Sequence, residues 1–260
     1  MDVKLDGRAA LITGASRGIG LAIAMRMAAS GADVALLARR SDVLDEARRV
    51  VLTTAKGKVH AVACDVSQNQ EVTRAFTNVE ETLGRVDIIV NNAGTSRTGA
   101  FPTITDEVWQ ADLDLKLFAA IRFARAAWPR MVARRWGRII NVLNTAAKAP
   151  RASSAPTSVS RAAGMALTKV LADEGAAHNI LVNSLHVGII DSDQWVRRHA
   201  SQQSREPYSA FLAKLGADIP LGRVGAAEEF ANVACFLASD LASYVTGTSI
   251  NVDGNRCPVM

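Results

Sequence analysis

The chain has 260 residues, 49% hydrophobic but only 5% aromatic, with three cysteines and a formal charge of +5 from 30 basic and 25 acidic residues. That length suits one large α/β domain or two small ones, and no proline-rich, Gly/Ser-rich or single-sign run divides it, so one domain over 1–260 is expected. Dispersed charge speaks against nucleic-acid binding, scattered cysteines against a disulfide framework or metal site, and the lack of an apolar run of ~20 residues or of a leader against membrane insertion or export.

Short apolar runs alternate with longer helical patterns, the signature of βαβ units and a parallel sheet. AALIT (9–13) predicts the first strand, followed by a glycine-rich turn and the helix LAIAMRMAAS (21–30). Strand DVALLA (33–38), helix DVLDEARRVVLTTA (42–55), strand KVHAVAC (58–64) and helix NQEVTRAFTNVEETLG (69–84) continue the alternation. VDIIV (86–90) is a fourth strand running into NNAG, and a long helical stretch from about Asp106 to Arg134 precedes the strand GRIINVL (137–143). APTSVSRAAG (155–164) opens a helix reaching about Ala177, followed by strand NILVNSLHV (179–187). The charged stretch 191–216 lacks a clear period and is expected to be a mobile lobe on the substrate side. Helix AAEEFANVACFLAS (226–239) and strand GTSINVDG (247–254) close the pattern.

TGASRGIG (13–20) sets Gly14, Gly18 and Gly20, with Ser16 and Ile19 beside them, between a strand and a helix. Glycines permit a sharp turn and close approach to a pyrophosphate, and the helix N-terminus supplies N–H donors. Within a βα repeat this cluster reads as a dinucleotide-binding turn. An acid at the end of the second strand commonly holds a free ribose 2′-hydroxyl. Here that position is Ala38, followed by Arg39 and Arg40, and Arg17 projects from the glycine turn. Guanidinium forks suit a 2′-phosphate, so NADP(H) is expected over NAD(H); plain surface arginines are the alternative.

TGASRGIG, CDVS (64–67), NNAG (91–94), GRIINV (137–142), ILVNSLHVG (180–188), PLGRVG (220–225) and VTGTSINVDG (245–254) together resemble the short-chain dehydrogenase/reductase family over almost the whole chain. The similarity is greatest to reductases of 3-oxoacyl thioesters. The resemblance implies a doubly wound, single-domain Rossmann fold with a seven-stranded parallel sheet, a cytoplasmic location, and a homo-oligomer, tetramer or dimer, paired through helices including the one opened by APTSVSRAAG. It also implies that Asp65 and Val66 contact adenine, Asn92, Ala93 and Gly94 the adjoining ribose, and Ile190 and Ser192 the nicotinamide amide.

In that family a tyrosine donates the proton, a lysine four residues later holds the nicotinamide ribose, an upstream serine binds the carbonyl, and an asparagine on the preceding helix anchors a relay water. Carried over by position, these fall on Thr157, Arg161, Asn144 and Lys116, so all four family residues are replaced. The only tyrosines, Tyr208 and Tyr244, stand elsewhere. A tyrosine titrates near ~10 and an aliphatic hydroxyl near water's ~15.7, so Thr157 is a poor acid. General-acid assistance is ordinarily worth ~10²–10⁴ in rate. Arg161 can orient ribose and stabilise anionic charge without relaying protons. Lys116, its pKa lowered beside Arg161, is expected either to donate a proton or to bind a carboxylate with Arg161, unless it reaches solvent. His186 is a second candidate donor near neutral pH, unless it is simply a satisfied core histidine. Two functions stay open: an NADP(H)-dependent oxidoreductase acting on a carbonyl or enoyl group, an anionic substrate among the options, by a non-standard mechanism, or a cofactor-binding homologue without catalysis, serving as sensor, partner subunit or scaffold.

Overall fold

The computed structural model describes residues 2–202 and 206–260. Seven strands, β1 (Ala9–Thr13), β2 (Asp33–Ala38), β3 (Val59–Ala63), β4 (Ile88–Asn91), β6 (Gly137–Asn144), β8 (Ile180–Val187) and β9 (Ser249–Val252), lie parallel in the order β3-β2-β1-β4-β6-β8-β9. β5 (Thr98–Gly99) and β7 (Ala155–Pro156) form a separate antiparallel pair. The helices are α1 (Gly18–Ala29), α2 (Ser41–Leu52), α3 (Asn69–Leu83), α4 (Asp106–Leu113), α5 (Ala119–Arg134), α6 (Thr157–Ala176), α7 (Asp193–Ser201), α8 (Tyr208–Ala217) and α9 (Ala227–Ala238).

Alternate residues of each strand feed two cores, as the pleat requires. Ala10, Ile12, Val34, Leu36, Ile88 and Val90 pack under α1, α2 and α9. Ala9, Leu11, Ala35, Leu37 and Ile89 pack under α3 and α5. A sheet buried on both faces reads as continuous apolar strands, which is how AALIT and DVALLA are written. The order reverses between β1 and β4, and such a switch point opens a crevice at the carboxyl ends of the strands.

Two segments differ from the pattern read along the chain. The long helix after β5 carries a π turn over Asp114–Phe118 between α4 and α5, a distortion that periodicity averages away and that often marks functional sites. Within 191–216 the structure places α7 and α8, joined by rings of Trp195, His199, Tyr208 and Phe211 with centroids 5.2–6.4 Å apart. Residues 203–205 of the expected lobe lie outside the described residues. At the floor of the sheet, opposite the crevice, Arg8 and Arg138 both stack on Trp136, 3.7 and 4.2 Å from its ring centroid. No helix among the described residues is long and apolar enough to cross a membrane.

Candidate active site

The glycine turn is shaped by what it must avoid. Gly14 and Gly18 have φ of +65° and +54°, in the left-handed region. A Cβ on Gly14 would stand 2.9 Å from Ala93 Cα, and one on Gly20 would overlap the Gly14 carbonyl oxygen. The adjoining NNAG segment is fixed by Thr13, whose Oγ1 accepts from the N–H groups of Asn92 and Ala93, both at 3.0 Å. Asn92 Nδ2 donates to the carbonyls of Thr13 and Gly14 at 2.9 and 3.2 Å. The result is a tight backbone cradle at the start of α1, where unpaired N–H groups favour an anion. The residues present fit a dinucleotide's pyrophosphate there.

Around this cradle the expected contacts sort themselves. Ser16 lies in the turn and Ile19 in the first turn of α1, both half-buried. Ser192 closes over Gly18, whose added Cβ would stand 3.3 Å from Ser192 Cβ, and Ile190 is buried through a bridge to Gly225. Val66 is buried, and Asp65 Oδ1 accepts from Ser67 N and Oγ at 3.0 and 2.8 Å, shaping the turn after β3. Arg39 is exposed at the end of β2 and makes no ion pair among the described residues. Arg40 is already engaged, its Nε and Nη2 donating to Asp42 at 3.2 and 2.8 Å. Arg17 Nη1 donates to Asp193 Oδ1 at 3.0 Å. Only Arg39 of the three expected arginines is thus uncommitted.

The hydroxyl that opens α6 is fully occupied. Thr157, 3% exposed, donates its proton to the Arg97 carbonyl at 2.6 Å and accepts from Arg97 N at 2.9 Å and Lys116 Nζ at 2.8 Å. It ties the β5 segment to α6 and keeps no proton for a substrate. Lys116, carried in the π turn, does not reach solvent, and its Nζ also pairs with Asp112. Asp112 in turn accepts from Ser160 Oγ at 2.6 Å through Oδ2. Burial first, then Arg161 and Arg97, lower Lys116 to about 8, while Asp112 holds it up. Burial, rather than the neighbouring Arg161 expected from the sequence, is the larger cause of this lowering.

Arg161 Nη1 donates to the Val142 carbonyl at 2.7 Å, and its Nη2 packs against Gly94 where a Cβ would stand. Burial lowers it to about 10 against the pull of Asp112, so it remains cationic at neutral pH. Asn144, at the end of β6, leaves Oδ1 buried and without a hydrogen-bond partner among the described residues. His186 does not serve as a neutral-pH donor. It is fully buried, Nδ1 lies 3.0 Å from the Asn144 carbonyl and Nε2 3.2 Å from Ser184 Oγ. A carbonyl only accepts, so Nδ1 carries the hydrogen and Nε2 accepts from Ser184. Burial holds the ring at about 4, neutral at physiological pH. Among the described residues no three His, Cys, Asp or Glu side chains converge as metal ligands.

Sequence reasoning missed Asp112, Ser160 and Asp193. The Asp112–Lys116 spacing of four residues on a helix was an available signal; the other two partners are distant in sequence.

A family profile described as enoyl-(acyl carrier protein) reductase matches residues 14–254. The chain is 32% identical over 254 residues to the 3-oxoacyl-(acyl-carrier-protein) reductase of Aquifex aeolicus, covering 98% of this chain and 99% of that one. It is 35% identical over 254 residues to the corresponding reductase of Pseudomonas aeruginosa, covering 97% and 98%. The solved structure of L-sorbose reductase from Gluconobacter frateurii, complexed with NADPH and L-sorbose, superposes with a TM-score of 0.95 at 35% identity over 100% of both chains.

Proposed function

The chain belongs to the short-chain dehydrogenase/reductase family, and from that premise we propose that it is an NADP(H)-dependent reductase in which fixed cations, Arg161 foremost, replace the proton-donating hydroxyl. The observation that carries this is the Thr157 hydroxyl, committed to the Arg97 carbonyl, beside an Arg161 guanidinium seated on Gly94. Asn144, Thr157, Arg161 and Lys116 stand where the family carries its serine, tyrosine, lysine and asparagine.

Bound NADPH supplies the hydride. The turn 14–20 holds its pyrophosphate, Arg39 its 2′-phosphate, and Arg161 its nicotinamide ribose. Negative charge developing on the acceptor oxygen is stabilised by Arg161, a preorganised cation of the kind that dominates such catalysis, with Lys116, paired to Asp112, acting only through its field. The Asn144 amide orients that oxygen, and solvent supplies the proton. Such a site favours an acceptor whose reduced form is a stabilised anion, a polarised carbonyl or an enoyl group of an anionic substrate. We place the homo-oligomeric contact on α5 and α6, where Ile121, Trp128, Leu167 and Leu171 line an open hollow of about 340 Å³.

The commitment of Thr157 and the burial of Lys116 also support a second reading, a cofactor-binding homologue without turnover. Titration of NADPH and NADH by nicotinamide fluorescence, followed by NADPH oxidation with 3-oxoacyl and enoyl thioesters, separates the two. Tight NADPH binding with turnover supports the reductase. Tight binding with no turnover supports the second reading, and binding of neither dinucleotide overturns both.

A further inference from the structure

Arg17 caps the N-terminus of α1 with extended backbone, at the centre of the glycine turn. Its ion pair with Asp193 crosses from that turn to the first turn of α7, with side chains 53% and 23% exposed. Asp193 has a second partner, since its Oδ2 takes Arg197 Nη1 at 2.8 Å. The close approach of Gly18 to Ser192 seats the start of α7 directly on the turn. A carboxylate is therefore fixed beside the arginine that the glycine turn offers to a phosphate.

We propose that Asp193 tempers the preference for a 2′-phosphorylated dinucleotide: it holds Arg17 against α7 in the free protein, yields it only to a dinucleotide carrying a 2′-phosphate, and so weakens binding of that cofactor without affecting the unphosphorylated one. The proposal rests on the NADP(H) reading above. The exchange is balanced on the Asp193 side, because the carboxylate keeps Arg197 and the favourable N-terminal end of the α7 dipole. On the Arg17 side a partly exposed ion pair, weak by nature, is traded for a charge-assisted bond to a phosphate of higher charge. Asp193 thus competes with the ligand for one guanidinium. The pyrophosphate, common to both dinucleotides and held by backbone N–H groups, does not need that guanidinium, so an unphosphorylated cofactor leaves the pair intact.

The test is the affinity of NADPH and NADH for the wild-type protein, Asp193→Asn and Arg17→Met/Asp193→Asn, by nicotinamide fluorescence. Asparagine keeps the size and polarity at the start of α7, and circular dichroism checks the fold. Asp193→Asn is expected to tighten NADPH about threefold, the scale of one exposed ion pair, with NADH unchanged and the gain lost in the double variant. NADPH affinity unchanged or weakened in Asp193→Asn, or NADH tightened equally, overturns the proposal and leaves the cofactor reading standing. If the wild type binds neither dinucleotide, the cofactor reading fails and the proposal falls with it.

Discussion

Lys116 offers a direct check on the electrostatics of the candidate site. Its side chain is 1% exposed beside an Asp112 carboxylate at 0%, and its pKa drops from 10.5 to about 8, chiefly through burial. Between those values the unfolded chain carries the proton and the folded chain does not, so stability rises with pH across that window. Below pH 8 both states are protonated and the cost of burying the ammonium is fully present. At ~1.36 kcal/mol per pH unit the gap amounts to about 3 kcal/mol, of which about 2 kcal/mol is recovered between pH 7 and 9.5. Lys116→Met cannot titrate, so the difference between wild type and variant isolates this group from every surface lysine. The assay is urea unfolding followed by far-UV circular dichroism at a series of pH values, with the m-value checked for constancy. Asp112→Asn removes the group that holds the lysine's pKa up, so the rise should begin below pH 8 in that variant. A wild-type minus Lys116→Met difference that stays flat from pH 7 to 9.5 would refute the buried, proton-bearing Lys116, as would an onset in Asp112→Asn that moves to higher pH.

Three further outcomes are expected. His186 is lowered from 6.5 to about 4, so its contribution is present above pH 6.5 and is lost as pH falls toward 4, about 3 kcal/mol in all; a His186→Asn variant should lack this acid-side loss in urea titrations. Arg161→Ala should weaken NADPH about tenfold or more, the worth of a charged hydrogen bond, whereas unchanged affinity in a fluorescence titration would remove the ribose contact. Trp136→Leu should cost about 2–4 kcal/mol of unfolding free energy, since the 1%-exposed Arg138 loses its stacking face and Asp240 its indole donor at 3.0 Å. NADPH affinity should be unaffected, because Trp136 precedes β6 while Asn144 ends it.

The sheet was legible because each of its strands is written as a short apolar run, and every core-facing position needs only a small set of residues. The first two strands keep their predicted bounds and the others shift by at most two residues at either end: 86–90 became Ile88–Asn91, because Val86 and Asp87 sit at the floor, where Asp87 is buried between Arg85 and Arg134. The glycine turn was equally readable, since φ near +60° at Gly14 and Gly18 restricts the residue type directly. The 191–216 stretch was not. α7 has no buried residue at all and holds to α8 through rings at 195, 199, 208 and 211. Its packing face is only Trp195 and His199, one turn apart and half-buried, too short a stripe for a periodicity search to single out.

At the site, sequence position gave the identity of each group but not its commitments, and commitments decide chemistry. Thr157 as a lone hydroxyl is a weak acid; Thr157 with its hydrogen on the Arg97 carbonyl has no proton to offer. His186 read as a residue poised near pH 6.5, yet β8 turns it under Asn144, where burial keeps it neutral. The arginines make the same point in the cofactor half. Arg40 is engaged by an acid two residues away, visible in the sequence as RRSD. Arg17 is engaged by one 176 residues away, which no local pattern reveals. The three guanidinium groups expected to meet a 2′-phosphate are therefore not three equal candidates. On the proposed reading Arg39 would bind without displacing a partner, Arg40 would have to leave a bidentate ion pair and Arg17 would have to leave Asp193, so cofactor preference would depend as much on the carboxylates as on the cations they hold.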